Sequence, residues 1–79
     1  MGTIALSDLK PGRRAVVLEN RCEPELAARL EDLGLTPGLE IRCLHRAPAG
    51  TPAAYEIRGA AIALRRRDAA LILVREEAP

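Results

Sequence analysis

Residues 26–41 read L-A-A-R-L-E-D-L-G-L-T-P-G-L-E-I, and this stretch decides the fold. Its first half places leucines at i, i+4 and i+7, the spacing that puts side chains on one face of a helix. Gly34 stands where a glycine ends a helix in the left-handed region, and Thr-Pro-Gly at 36–38 is a turn sequence. From Leu39 onward apolar and polar residues alternate, as in a strand. The stretch therefore predicts a short helix that turns sharply into a β-strand. The helical leucines are Leu26, Leu30 and Leu33.

Turn sequences divide the rest of the chain into short strands. Lys-Pro-Gly at 10–12 and the breaker-rich run at 47–52 each separate two apolar segments, and Gly59 marks a further bend. Five short strands, with one helix after the first of them, are typical of a small closed or partly open β-barrel. The predicted strands are 13–20, 39–46, 54–58, 61–65 and 71–75, with single helical turns at 7–8 and 66–70 and a frayed tail at 76–79.

The length of 79 residues and the composition predict one small domain, residues 1–79, with an aliphatic core. There is no Phe or Trp and a single Tyr, so Ala, Leu, Ile and Val must fill the interior. The net charge of +1 provides no field that would draw the chain to nucleic acid or anionic membranes. The first residues do not resemble a signal peptide, and the apolar run at 69–74 is too short to span a bilayer. We therefore expect a cytoplasmic protein with reduced thiols, and a Cys22–Cys43 disulfide is the less favoured alternative.

The chain resembles the FeoA family, the small cytoplasmic component of bacterial ferrous iron transport, over nearly its whole length. The combination of L-G-L-x-P-G at 33–38 with A-L-R at 63–65 is more specific than either piece alone. The loop at 50–52 reads Gly-Thr-Pro where the family often has Gly-Asp-Pro, so a role of that aspartate does not carry over. The matching segments are Leu6…Leu9-x-Pro11-Gly12, Arg29-Leu30-x-x-Leu33-Gly34-Leu35-x-Pro37-Gly38, Arg46-Ala47-Pro48, Tyr55-x-Ile57-x-Gly59, Ile62-Ala63-Leu64-Arg65, Asp68-Ala69 and Ile72-x-Val74.

The resemblance implies a mainly β, SH3-like barrel of about five strands that acts by binding. It implies a partner of the FeoB type, a membrane permease with a cytoplasmic G-protein domain. FeoA-like domains also occur at the C-terminus of iron-responsive repressors. We expect the free-standing transport component, since no DNA-binding domain precedes the match. We also expect no cofactor, no nucleic acid partner, membrane contact only through the permease, and at most a weak homo-oligomer.

No arrangement of catalytic residues is evident in the sequence, so we predict no enzymatic activity. His45 is the single histidine and lies in no catalytic motif. The adjacent carboxylates of Glu31 and Asp32 diverge by about 100° on a helix, which is poor geometry for an acid–base pair. The glycines are dispersed singly, so there is no phosphate-binding loop.

A metal site would have to use the two cysteines and His45. Strand alternation predicts that Cys43 and His45 share one side, and Cys22 is the remaining candidate ligand. That side also carries Leu39 and Ile41, where a cysteine usually acts as a small hydrophobe. We therefore predict no metal site.

Arginines are the first candidates for a functional surface, since eleven of the twelve basic residues are Arg. Arg65 and Arg29 match positions of the family pattern. We interpret them either as partner contacts or as members of structural ion pairs. Arg66 and Arg67 are interpreted as a solvated strand end. An arginine finger for the partner's GTPase is a further hypothesis.

Two leucines are the apolar residues that the predicted core explains least. Leu35 lies just past the helix, and Leu44 lies on the outward face of the second predicted strand. Exposed apolar residues beside arginines are typical of protein contacts. We predict a partner surface formed by the helix, its C-terminal turn and the outer face of that strand. Its residues are Leu26, Arg29, Leu35, Leu44 and Arg65.

The predicted function is that of a non-enzymatic accessory or regulatory protein of ferrous iron uptake that binds the cytoplasmic part of a FeoB-type permease. One alternative is an SH3-like regulatory domain of the iron-dependent repressor type or a nucleic-acid-associated small barrel. Another is an iron carrier. Salt dependence separates a nucleic acid partner from a protein partner, because binding to phosphates weakens steeply with salt whereas an apolar protein contact does not. Metal titration tests the hypothesis of an iron carrier.

Overall fold

The computed structural model describes residues 2–78 and, within them, a single antiparallel sheet of six strands with two helices. The strand order is β1-β6-β2-β3-β4-β5, so β1 and β5 form the two edges. The elements are β1 (Thr3–Ala5), a 3-10 turn (Leu6–Asp8), β2 (Arg14–Asn20), α1 (Pro24–Asp32), β3 (Glu40–Arg46), β4 (Ala53–Ile57), β5 (Ala60–Leu64), α2 (Arg66–Ala69) and β6 (Ile72–Glu76).

The mainly β class and the position of the helix agree with the prediction. All five predicted strands are present, with ends that differ by at most one residue. The strand that the prediction missed is β1, which pairs with β6 through Ile4 opposite Val74. A three-residue edge strand is too short to produce a periodic pattern of its own.

The core is aliphatic and lies on one face of the curved sheet, with Tyr55 as its single aromatic residue. The phenol of Tyr55 donates a hydrogen bond to the carbonyl oxygen of Leu6 at 3.4 Å, so the ring's polar end is satisfied inside the core. No charged or polar residue among residues 2–78 is fully buried. The larger core side chains are Leu6, Leu9, Val17, Leu30, Leu35, Ile41, Ile57, Leu64, Ile72 and Val74.

The C-terminal end of α1 differs from the prediction in which leucines are buried. Leu33 is 48% exposed, whereas Leu35, predicted to be exposed, is 0% exposed. Gly34 has φ of +105°, and the amide of Leu35 donates to the carbonyl of Leu30 at 2.9 Å. This is a Schellman motif, in which the residue after the glycine packs back against the helix. Leu35 therefore belongs to the core and cannot be a surface contact.

A β-bulge in β3 overturns the predicted side of His45. The register between β3 and β4 shifts between Cys43, opposite Tyr55, and His45, opposite Ala54. The extra residue at the bulge reverses the alternation, so Cys43 is buried and His45 is exposed. The prediction that the two side chains share one side is therefore wrong.

The predicted frayed tail is also wrong over its first two residues. Glu76 belongs to β6 and its carboxylate lies 2.8 Å from the guanidinium of Arg13. The amide of Glu77 donates to the carbonyl of Arg14 at 2.9 Å. The last residue of that predicted tail, Pro79, lies outside the described residues.

Candidate protein-binding site

A groove runs between α1 and the edge strand β5. At one end the side chain of Arg58 lies against Gly34, just past the C-terminal end of α1. At the other end Leu26, in the first turn of α1, faces Ala63 and Leu64 of β5 across a cleft of about 430 Å³. The first turn of α1 therefore faces the end of β5, and the C-terminal end of α1 faces the turn that precedes β5. The cleft is lined by Glu23, Glu25, Leu26, Ala63, Leu64, Arg65, Arg67 and Asp68.

Local sequence rules position α1 on its side of the groove. Pro24 occupies the first helical turn, where its missing amide hydrogen removes no hydrogen bond. The carboxylate of Glu23 accepts a hydrogen bond from the amide of Leu26 at 2.7 Å and so caps the N-terminus. The helix therefore begins at a fixed point, with Leu26 turned toward the sheet.

The turn between β4 and β5 positions the other side of the groove. Arg58 and Gly59 both have positive φ, of 51° and 85°, which defines a two-residue type I′ hairpin. Arginine rarely adopts this conformation, and here its side chain covers the C-terminal turn of α1 at Gly34. The turn therefore brings β5 back beside α1.

The structure brings some of the predicted contact residues together and separates the others. Leu26 and Arg65 line the same groove. Arg29 is exposed one turn after Leu26, on the same side of α1. Leu35 is in the core, as described above. Leu44 is half-buried at the bulge of β3 and does not line the groove, so its predicted role concerns a separate surface.

Sequence reasoning missed six of the residues that line the groove, which are Glu23, Glu25, Ala63, Leu64, Arg67 and Asp68. Leu33 does not line it, but it lies two turns after Leu26 in the same leucine stripe and is exposed. Among residues 2–78, Leu33 and Leu71 are the large apolar side chains that remain exposed. The i, i+4, i+7 pattern identified the stripe, but it did not show that the sheet leaves one end uncovered.

Arginines without ion pairs surround the groove. The ion pairs of the described residues join other arginines to Glu76, Glu19 and Glu56. The cleft also contains three carboxylates: that of Glu23 caps the helix, and those of Glu25 and Asp68 form no ion pair among the described residues. Unpaired groups of both signs therefore border the apolar surface of Leu26. Of the arginines without an ion pair, Arg65 and Arg67 line the cleft, and Arg29 and Arg58 lie on α1 and on the β4–β5 turn.

A second cleft, of about 280 Å³, lies on the outer face of β2, β3 and β4. Its charged residues are arranged across the strands, with Arg14 opposite Arg42 and Arg42 opposite Glu56. The guanidinium of Arg42 pairs with Glu56 at 3.3 Å. Charged residues of this cleft therefore pair with each other between neighbouring strands of the sheet.

The two cysteines are free thiols and both are buried in the core. Burial raises the pKa of both thiols, and the neighbouring carboxylate of Asp68 raises that of Cys22 further. The thiol of Cys22 donates to the carbonyl oxygen of Asp68 at 3.5 Å. Across residues 2–78, no three His, Cys, Asp or Glu side chains converge in a way that could hold a metal ion. Neutral, buried thiols of this kind are poor nucleophiles and poor ligands.

A family model matches most of this chain: the model described as FeoA domain aligns with residues 4–76. The chain belongs to the FeoA family. Both the predicted family and the predicted SH3-like fold are confirmed. No curated protein matches the sequence. In the part of the chain that the structure describes, no helix is long and apolar enough to cross a membrane.

Solved structures of FeoA proteins have a similar fold. The FeoA protein of Chlorobium tepidum has a TM-score of 0.91 and 39% identity, covering 95% of this chain and 71% of that one. The Stenotrophomonas maltophilia FeoA complexed with zinc, described as a prokaryotic SH3 domain protein, has a TM-score of 0.79 and 29% identity, covering 94% and 89%. A manganese-dependent transcriptional repressor is similar in fold alone, with a TM-score of 0.85 and 18% identity, covering 98% of this chain and 42% of the repressor.

Proposed function

We propose that this protein is a non-enzymatic accessory factor of ferrous iron uptake that binds the cytoplasmic part of a FeoB-type permease. The observation that carries the proposal is the groove between α1 and β5, where Leu26 and Arg65 meet. Membership in the FeoA family supports the same conclusion. The groove, rather than a reactive centre, is then the functional part of the molecule.

The chemistry of the groove is that of a protein contact. Covering the exposed side chain of Leu33 and the half-buried side chain of Leu26 favours binding by about 25 cal/mol per Å² of apolar surface removed from water. Arg65 and Arg67 can pair with carboxylates of the partner in geometries that favour specificity. The surface therefore combines an apolar centre with a charged border, as protein interfaces do.

The mechanism is a change in the conformational or assembly equilibrium of the permease. A bound protein shifts such an equilibrium by as much as its affinity differs between the two states. A difference of about 1.4 kcal/mol in binding free energy shifts the equilibrium tenfold. No chemical step by this chain is needed.

The proposal is tested by binding to the purified G-protein domain of the permease, with and without GTP. Leu33→Glu should weaken binding at least tenfold because it places a charge in the apolar stripe. Leu71→Glu is the matched control, since Leu71 is 44% exposed and Leu33 48%, and it should bind as wild type. If both variants bind with the same affinity, Leu33 is not part of the contact surface.

The same binding experiment with a Leu44 variant tests the other predicted surface, the outer face of β3. If the partner contacts the outer face of β3, Leu44→Glu should abolish binding while Leu33→Glu leaves it unchanged. The reverse result assigns the contact to the groove. Circular dichroism of each variant controls for unfolding.

Arg65 also serves to test the arginine-finger hypothesis. If Arg65 acts only by contact, wild type and Arg65→Ala at saturating concentration give the same GTP hydrolysis rate by the partner domain. A loss of about 10³-fold in stimulated hydrolysis would instead indicate a finger.

A regulatory domain of the repressor type is the second candidate, and the likeness in fold to the manganese-dependent repressor favours it. A nucleic-acid-associated barrel has less support. Stacking of bases requires exposed aromatic side chains, and the single aromatic residue, Tyr55, is buried in the core.

A further inference from the structure

The charges of this chain are divided unevenly along the sequence. Residues 40–67 contain six arginines and two carboxylates, those of Glu40 and Glu56. The rest of the chain contains six basic residues and nine carboxylates. Residues 40–67 form β3, β4, β5 and the first half of α2, and these three strands are neighbours at one end of the sheet. The molecule therefore has a basic side and an acidic side, although its net charge is only +1.

The longest run of basic residues lies on the basic side, at the start of α2. Arg65, Arg66 and Arg67 are all exposed, and none of them forms an ion pair with another described residue. All three line a cleft of about 590 Å³ that has no carboxylate among its described lining residues. Asp68, the acidic residue of α2, lines the groove beside α1 instead. The cleft is lined by Thr51, Arg65, Arg66, Arg67 and Ala70.

The loop between β3 and β4 holds this basic turn in place. The hydroxyl of Thr51 accepts a hydrogen bond from the amide of Arg66 at 3.0 Å. The guanidinium of Arg66 lies against Gly50, at the point that a Cβ would occupy. The loop reads A-P-A-G-T-P at 47–52 and contains no charged residue. An uncharged loop therefore lies beside the arginines and fixes the position of Arg66.

An exposed leucine follows the same turn. Leu71 is 44% exposed and, with Leu33, is one of the two large apolar side chains that remain exposed within residues 2–78. Its amide donates to the carbonyl of Asp68 at 3.0 Å, so the turn of α2 continues as far as Leu71. Arg67 and Leu71 are four residues apart, the spacing at which side chains of a helical turn are neighbours. Unpaired arginines beside an exposed leucine are the composition of surfaces that bind anionic membranes.

We propose that the basic patch formed by Arg65, Arg66, Arg67 and Leu71 binds the surface of an anionic phospholipid membrane. The arginines pair with lipid phosphates and carboxylates, and Leu71 enters the boundary between headgroups and acyl chains. Each arginine near such a surface strengthens binding about fivefold, so three arginines give a preference of about 100-fold for anionic over neutral lipid. This contact is made by the chain itself, in addition to the expected contact through the permease.

The low net charge does not oppose this contact. Salt screens charges that are more than about 10 Å apart, and the molecule extends over 22 to 30 Å. A membrane at the basic patch therefore responds to the nearby arginines more strongly than to carboxylates on the acidic side. The sequence prediction of no attraction to anionic membranes used the net charge, which does not describe how the charge is distributed.

Leu71 and the arginines together favour lipid over nucleic acid as the occupant. Phosphates of nucleic acid would also attract the arginines, but a duplex has no apolar layer that could receive the leucine. Bases of a single strand stack on exposed aromatic residues, and the one aromatic residue of this chain, Tyr55, is buried. A membrane offers both an anionic surface and an apolar layer beneath it.

Sedimentation with lipid vesicles tests the proposal on the full chain. The protein should bind vesicles of phosphatidylcholine with phosphatidylserine about 100-fold more tightly than vesicles of phosphatidylcholine alone, and high salt should reduce this preference. Arg66→Gln with Arg67→Gln should weaken binding to the anionic vesicles about 25-fold. The control is Arg14→Gln with Arg75→Gln, which removes the same charge from exposed positions of β2 and β6 and should bind within about threefold of wild type.

The two exposed leucines provide a second, independent test. Leu71→Glu should weaken binding to anionic vesicles at least tenfold, because it removes the inserted side chain and adds a repelled charge. Leu33→Glu makes the same change at a leucine of similar exposure outside the basic patch, and it should bind within about threefold of wild type. The order of the two variants is the reverse of that expected for the permease domain, so the same proteins separate the two surfaces. Circular dichroism controls for unfolding.

Four results would overturn the inference. Wild type could show no preference for anionic vesicles, or both double arginine variants could lose affinity equally, and the basic patch is then not a lipid site. Duplex DNA could bind with the same dependence on Arg66 and Arg67 and without dependence on Leu71, which would make nucleic acid the occupant. Leu71→Glu could weaken binding to the permease domain, which would make the patch a protein contact. The first two results leave the proposed function standing, and failure to bind the permease domain leaves this inference standing.

Discussion

Arg46 shows how one side chain holds the short N-terminal turn on the sheet. Beyond the bulge in β3, Arg46 turns inward and its guanidinium donates to the carbonyl oxygens of Ser7 at 2.8 Å and Leu9 at 2.7 Å. It also lies close to the Cys43 thiol, where its charge opposes the rise in pKa that burial causes. The residue is therefore structural, although in sequence it reads as one more exposed arginine.

Replacing Arg46 with Met should lower the free energy of unfolding by about 2–3 kcal/mol. The substitution keeps the apolar stem but removes two charge-assisted hydrogen bonds and leaves two carbonyl groups without a donor. Urea denaturation measures the change. Arg67→Met is the control, and as an exposed substitution it should remain within about 0.5 kcal/mol of wild type. Equal losses in both variants would contradict the structural role of Arg46.

Tyr55 should make the protein less stable at high pH. Burial raises the pKa of Tyr55 to about 12, against about 10 in an unfolded chain. Because the folded state holds the phenol proton more tightly, this stabilisation is present below about pH 10 and is lost as the pH rises toward 12. The full loss is about 2–3 kcal/mol.

Tyrosinate absorbance follows this titration at a single residue, since Tyr55 is the only tyrosine. In urea denaturation, Tyr55→Phe should remove the part of the decline above about pH 10. A decline should remain, because burial also raises the pKa of the Cys22 and Cys43 thiols. Titration of Tyr55 near pH 10 in the folded protein would show that it is not desolvated.

At the scale of elements, the helix–turn–strand corner was predictable because its signals are local. The leucine spacing, Pro24 in the first turn and Gly34 at the end each act within four residues, and the structure contains all three features. The burial of Leu35 follows from a local rule as well, because a Schellman motif brings the residue after the glycine against the helix. The prediction for Leu35 was therefore wrong, although the signal was present in the sequence.

Gly34 should be the least replaceable glycine of this corner. Gly34→Ala introduces a Cβ at φ of +105°, a region that costs L-residues about 1–2 kcal/mol, and the Cβ would also meet the side chain of Arg58. We expect a loss of about 2 kcal/mol in unfolding free energy, measured by thermal or urea denaturation.

Two further variants separate the causes of that loss. Adding Arg58→Ala should recover the steric part but leave the backbone part. Gly2→Ala should have no effect, because a Cβ added at Gly2 would meet no other atom and the φ of Gly2 is not positive. If the double variant recovers the full unfolding free energy, the backbone conformation at position 34 costs an alanine nothing.

At the scale of the whole molecule, the distribution of charge predicts how the partner contact responds to salt. The net charge is only +1, and the proposed contact combines apolar leucines with a few arginines. Affinity for the permease domain should therefore fall less than about tenfold between about 50 and 200 mM salt. Contacts to several phosphates would lower it about 10³- to 10⁵-fold over the same range. Isothermal titration at both salt concentrations separates a protein partner from a nucleic acid.

The sequence by itself determined the local elements, the aliphatic core and the family, because the elements depend on residues close together in the chain, the core on composition, and the family on motifs that are read along the chain without knowing what they pack against. Only the tertiary structure decided that β5 is an open edge beside α1, that the bulge in β3 exposes His45 and turns Arg46 inward, and that Leu26 and Arg65 share a groove. Periodicity shows which residues share a face, but it does not show what that face packs against. The neighbour of each strand is set by pairing between distant segments, so the groove appears only once the sheet is complete.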